Sequence, residues 1–117
     1  MRGRASDLVI VGGENVQPAE VEAAARRVPG VADACAFGVP DPEWGARLAL
    51  VVVPAVGAAL DLDAVVAAMG RQLARFKRPT LGAVAASLPM LGIGKVDRRA
   101  VADRHAGSVR PLARSGA

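Results

Sequence analysis

Two apolar runs, residues 31–39 and 48–54, limit what this chain can become more than any other feature of it. Both are apolar at consecutive positions, the pattern of strands covered on both faces, and so predict two central strands of a sheet. The polar stretch between them, Pro40-Asp41-Pro42-Glu43 followed by Trp44-Gly45, supplies turn-forming residues. Residues 8–11 read as a further short strand, stopped by Gly12-Gly13 in a tight turn where the backbone can approach something closely.

Helices fill the intervals. Pro18 suits a first turn, Glu20 and Glu22 complement the positive helix end, Arg26 and Arg27 complement the other, and Pro29-Gly30 stops the helix. Asp61 is an N-cap candidate for a second helix whose stripe is Leu62, Val65, Val66, Met69 and Leu73. That helix ends at Phe76-Lys77-Arg78-Pro79, and a short strand is expected within residues 83–87. Gly92-Ile93-Gly94 reads as a flexible loop presenting Lys95, and a last helix over residues 97–105 ends before Gly107. Residues 106–117 read as a disordered basic tail. The expected fold class is α+β: a small sheet of about three central strands packed with helices, plus a short N-terminal hairpin, with the folded domain spanning residues 8–105.

Composition excludes several kinds of function. A chain of 117 residues can bury roughly two thirds of its unfolded surface without disulfides or metal. One Cys and one His form neither a disulfide framework nor a Cys/His zinc site, and point to a reduced compartment. No uncharged apolar run of about 18 residues and no secretory leader pattern is present, so a soluble, cytoplasmic protein without a membrane span is expected. The net charge of +4 raises the question of nucleic acid. Acidic and basic residues alternate through the body of the chain and aromatic residues are scarce, which argues against it.

Among 15 Lys and Arg residues only Lys77 and Lys95 are Lys. Lys95, after a Gly-rich loop, can place a compact point charge on phosphate or carboxylate oxygens; a solvated loop lysine is the plainer alternative. A Walker-type phosphate loop is excluded, because Pro89 stands where that motif needs Gly and Val96 where it needs Ser or Thr. Trp44 is either a lid over the core edge or a ligand platform. Phe76-Lys77-Arg78 joins an aromatic face to two cations at a helix end, which suits a nucleotide phosphate, or is a core Phe between solvated neighbours. Cys35 reads as a small core residue and His105 as a solvated helix-end residue. No metal site is expected.

The segment from Gly3 to Glu22, with Gly12-Gly13-Glu14-Asn15-Val16-Gln17-Pro18 within it, is similar to the hinge and following loop of acyl-CoA and aryl-CoA synthetases of the adenylate-forming superfamily. Pro29-Gly30-Val31-Ala32-Asp33-Ala34, Gly38-Val39-Pro40-Asp41-Pro42-Glu43-Trp44-Gly45 and Phe76-Lys77-Arg78-Pro79 agree in order and spacing. Gly94-Lys95-Val96-Asp97-Arg98-Arg99 resembles the family's terminal lysine motif. The likeness runs over residues 2–103 and covers only the family's smaller C-terminal, AMP-binding enzyme domain.

The resemblance implies half of a two-step ligase. Such enzymes join a carboxylic acid to ATP, with Mg2+ bound alongside ATP in a larger N-terminal domain, and then pass the acyl group from AMP to coenzyme A. The small domain presents one face for adenylation and another for thioester formation. By resemblance Lys95 is the adenylation lysine. Gly12, Gly13 and Glu14 belong to the loop lining the pantetheine channel, and Arg4 stands near the AMP ribose and phosphate. Trp44, Phe76 and Arg78 contact the coenzyme A nucleotide. Residues 1–7 form the hinge, where Ser6 replaces the usual Asp or Lys.

The implied partners are an N-terminal adenylation domain in cis or trans, the acid, ATP, coenzyme A and a lysine acetyltransferase acting on Lys95. The isolated chain is expected to be inactive. A stand-alone remnant or split-gene product serving as a binding or regulatory module is the other open reading. The acid itself is not encoded here, since the acyl pocket belongs to the larger domain.

Overall fold

The computed structural model describes residues 8–112. The expected hinge 1–7, including Arg4 and Ser6, and residues 113–117 lie outside the described residues.

Strands β1 (Val9–Val11) and β2 (Glu14–Val16) form an antiparallel hairpin. Its turn residues Gly12 and Gly13 have φ of 56° and 87°, the pair of positive values that a tight two-residue hairpin turn requires. A mixed four-stranded sheet follows in the order β3 (Val31–Asp41), β4 (Gly45–Pro54), β5 (Leu81–Val84) and β6 (Arg110–Pro111). Only the β4–β5 pairing is parallel, and helix α2 (Leu62–Met69) makes the crossover between them. Helix α1 (Pro18–Arg26) precedes β3, and α3 (Arg98–His105) follows β5. The expected α+β fold, a small sheet packed with helices beside a two-stranded hairpin, is therefore present.

The consecutive apolar residues serve two cores. Ala34, Ala36, Leu48, Leu50 and Val52 face α1, α2 and the hairpin, where they meet Val16, Val21, Ala25, Val66 and Met69. Cys35, Phe37, Ala49 and Val51 face the other way, onto Leu81, Leu88 and Val101 of α3. Strand β4 is central, as expected. Strand β3 corrects the expectation: it is an edge strand, and its burial comes from helices on both faces and not from a second neighbouring strand.

Local chemistry explains most boundaries. The Asp61 carboxylate accepts from the backbone N–H of Asp63 at 3.1 Å and of Ala64 at 3.4 Å, which starts α2. Asp97 likewise accepts from Ala100 N–H at 3.1 Å and starts α3. The second helix stops at Met69, earlier than its apolar stripe suggested, and Leu73 reaches the same core from the following turn. A single 3-10 turn, Arg75–Lys77, then leads to β5.

Strand β5 begins at Leu81, two residues before the expected window, because the Thr80 N–H bonds to Leu48 O at 3.0 Å as soon as Pro79 is passed. Gly82 is what obscured it. A Cβ there would lie 2.8 Å from Leu62 Cδ2 and 3.0 Å from the Leu50 carbonyl oxygen, so α2 and β4 close over a position that tolerates no side chain. Gly82→Ala is expected to cost about 1–3 kcal/mol through overpacking, read as a lower urea midpoint with an unchanged slope.

The tail expectation also needs correction. From Ser108 to Leu112 the chain is ordered: Arg110 and Pro111 pair with Gly82 and Leu81, and Leu112 packs on the first core. Pro111 is admissible because β6 is an outer strand, where a missing N–H breaks no ladder. Among the described residues no helix is long and apolar enough to cross a membrane.

Candidate functional site

The candidate residues lie in three places: Gly12, Gly13, Glu14 and Trp44 near the β3–β4 turn, Phe76 and Arg78 at the 3-10 turn, and Lys95 beside the other end of β3. At its C-terminal end the Asp41 carboxylate accepts from Glu43 N–H at 3.0 Å and Trp44 N–H at 2.8 Å, fixing the β3–β4 turn. Gly12 N–H then donates to Trp44 O at 2.9 Å, joining the hairpin tip to that turn. The indole lies against Gly12 so closely that a Cβ would sit 2.9 Å from Trp44 Cε3. Trp44 nevertheless remains 53 % exposed, and nothing crowds the missing side chain of Gly13. A glycine turn beside an open indole ledge is thus built by sequence-distant residues. Glu14 is exposed on the same hairpin.

The 3-10 turn carrying Phe76 and Lys77 packs against β2. Phe76 is partly exposed, with the Lys77 ammonium 5.7 Å from its ring centroid. Lys77 also bonds both Glu20 oxygens, at 2.9 and 3.0 Å. Arg78, half-buried, donates from Nη2 to Gly70 O at 2.7 Å and from Nε to Leu73 O at 3.4 Å. Arg78 thereby satisfies carbonyls at the end of α2, a structural duty that the bare sequence did not suggest.

Lys95 stands at the other end of β3. Its loop is closed on itself: Leu91 N–H donates to Lys95 O at 2.6 Å, Asp97 N–H to Pro89 O at 2.9 Å, and Met90 bridges to Val96. Gly92 and Gly94 take φ of 76° and 75°, values that favour glycine, and Ile93 is wholly exposed at the tip. Lys95, Glu22, Arg26, Asp33 and Arg98 line an open groove along the outer edge of β3. Arg26 Nε pairs with Asp33 at 3.2 Å and Arg98 Nη2 with Glu22 at 2.8 Å. Among the described residues the Lys95 ammonium has no ion-pair partner.

The sequence reading missed Glu22 and Arg98. Glu22 is 5 % exposed, accepts from Ala36 N–H at 2.8 Å, and receives Arg98 on both oxygens. A signal was present: with Pro18, Val21 and Ala25, Glu22 falls on the buried stripe of α1, where a carboxylate needs a reason.

Beside this pair Cys35 is buried, and burial first, then the Glu22 carboxylate, pushes its thiol from 9.0 up to about 12. The folded chain is therefore expected to resist iodoacetamide at pH 8 and to react fully in urea. The raised value favours folding while the thiol is protonated in both states. That contribution decays as pH rises from 9, where the unfolded chain loses its proton, towards 12. A flat stability profile across that window would contradict the assignment.

From Asp33, in the Lys95 groove, to Asp41, at the Trp44 turn, β3 spans about 27 Å at ~3.4 Å per residue. Among the described residues no three His, Cys, Asp or Glu side chains form a metal-ligand group. The fold thus sets the Lys95 groove and the Gly12-Gly13 turn at separate places along β3 of one small domain. The chain belongs to the AMP-binding enzyme C-terminal domain family, which it matches over residues 20–95.

Among curated proteins it is 43% identical to a feruloyl-CoA synthase from Amycolatopsis sp over 93 residues, 80% of this chain and 19% of that one. Among solved structures, a Mycobacterium tuberculosis fatty acyl CoA synthetase superposes with a TM-score of 0.82 at 33% identity, covering 93% of this chain and 22% of the other. ATP-bound MatB from Rhodopseudomonas palustris gives a TM-score of 0.82 at 36% identity over 89% of this chain and 21% of that one. The chain thus spans about a fifth of the length of these relatives.

Proposed function

We propose that this chain serves as the C-terminal domain of an AMP-forming carboxylate–CoA ligase, working against an N-terminal adenylation domain. The observation that carries the reading is the Lys95 ammonium, without an ion-pair partner among the described residues, on a closed loop at one end of β3, with the Gly12-Gly13 turn and Trp44 at the other. In adenylation the acid's carboxylate attacks the α-phosphate of ATP and pyrophosphate leaves. Negative charge gathers on the oxygens in flight, and Lys95 donates charge-assisted hydrogen bonds to them. For the second step Gly12 and Gly13 leave room for a pantetheine arm, Trp44 and Phe76 offer faces to the adenine of coenzyme A, and Arg78 offers charge to its phosphates, while Arg4 serves the AMP ribose and phosphate. Mg2+ enters with ATP on the larger domain. The soluble, cytoplasmic setting and acetylation of Lys95 belong to the same reading.

The test is a chimaera in which this chain replaces the corresponding domain of the feruloyl-CoA synthase. Restored ATP–pyrophosphate exchange and thioester formation are expected, with no turnover by this chain alone. A folded chimaera that forms neither product, or turnover by the isolated chain, would overturn the reading.

A further inference from the structure

We infer that Glu22 and Arg98 are a positioning pair that sets where the Lys95 loop stands, an inference that rests on the adenylation role proposed for Lys95. The loop is rigid within itself, since the Leu91–Lys95 and Pro89–Asp97 hydrogen bonds close it and two glycines hold its turns. Its tip leans on little: neither Gly92 nor Gly94 has a neighbour where a Cβ would stand. The placement of Lys95 is therefore decided at the stem. On one side Leu88 is seated in the second core; on the other, Asp97 caps α3 and Arg98 follows at once.

Arg98 leaves α3, on one face of the sheet, and reaches round the edge of β3 to Glu22 of α1, on the opposite face. Its Nη2 lies 2.8 Å from Glu22 Oε1 and 3.0 Å from Oε2, and its Nε lies 3.2 Å from Oε2. The carboxylate cannot rotate to follow a displaced partner, because Oε2 also accepts Ala36 N–H at 2.8 Å. A planar fork on a fixed carboxylate sets direction as well as distance. Lys95 is three residues away, at the end of a long side chain, so a small tilt at Arg98 becomes a larger displacement of the ammonium.

Arg98→Lys keeps the charge and loses the fork; Glu22→Gln keeps the shape and the Ala36 contact and loses the charge. In the chimaera each is expected to lower kcat for acyl-adenylate formation about 10- to 100-fold, the scale for a misplacement near 1 Å. KM for ATP and the rate of thioester formation from preformed acyl-adenylate should stay as they were. A merely structural pair would instead depress both half-reactions in step with melting temperature.

The deciding measurement is the cycle with Lys95→Ala. If Arg98 acts through Lys95, then Arg98→Lys causes no further loss once Lys95 is gone. An additive loss, an equal loss in both half-reactions, or unchanged adenylation in both conservative variants would overturn the inference. Should one variant fail to fold, the other carries the same test. If Lys95→Ala itself leaves adenylation intact, the proposed function fails, and that result is distinct from a Lys95 effect without an Arg98 effect.

Discussion

In the chimaera, Lys95→Ala is expected to slow acyl-adenylate formation by about 10²–10³-fold, the typical cost of removing one donor aimed at developing charge. Thioester formation from preformed acyl-adenylate should proceed nearly unchanged, because the Gly12-Gly13 turn and Trp44 lie at the far end of β3 from the lysine. The size of the effect follows from water exclusion: in a closed site an ammonium on a phosphoryl oxygen is screened far less than at a surface. Lys95→Arg should not restore the rate, since a broad planar fork replaces a compact charge. Acetylation of Lys95 should mimic the alanine variant by removing the charge. Single-turnover assays of each half-reaction read this directly, and equal losses in both would show that the lysine serves no separate step.

Arg98→Met is expected to give the largest loss of stability. It strands the Glu22 carboxylate among buried neighbours, and breaking a buried pair from one side costs about 3–5 kcal/mol. The low end, about 3 kcal/mol, applies here because the Arg98 side chain keeps 28% exposure and its pair is partly solvated. For a domain of this size that corresponds to a fall in Tm of about 10–20 °C. Replacing both partners by Met should recover part of the loss. Full recovery is not expected, since Ala36 N–H would then have no acceptor. Calorimetry of the two variants checks the order: the double variant should melt above the single one.

Local signals were readable wherever neighbouring residues alone decide the structure. Gly12-Gly13 marked its turn, Asp61 and Asp97 their helix starts, and Gly94-Lys95 a presented lysine. What depends on distant pairing was not. The apolar runs of β3 and β4 look alike, yet only β4 has strands on both sides; helices supply the same burial to β3. The strand expected within residues 83–87 begins earlier, and Gly82 is a point of close packing that a sequence does not display. Arg78 read as a free cation, although its position next to the end of α2 commits it to two carbonyls. Glu22 and Arg98 meet across 76 positions, and only the buried stripe of α1 hinted at one of them. At the candidate site, residue types were legible while the seating of Trp44 on Gly12 was not, because that contact joins two separate turns.

The outer edge of β3 has a consequence for how the molecule behaves in solution. Ala34 N–H donates to Asp33, Ala34 O accepts from Arg26, and Ala36 N–H donates to Glu22. Further along the same row Pro40 has no N–H to donate. At the opposite edge β6 is two residues long and contains Pro111. An unguarded sheet edge is a template on which another chain can add a strand, and the usual outcome is polymerisation. With side chains on part of its long edge and proline blunting its short edge, the domain can leave its flanks in water without recruiting a second copy into its sheet. In the proposed ligase, those flanks would be uncovered each time the domain turned between the two half-reactions.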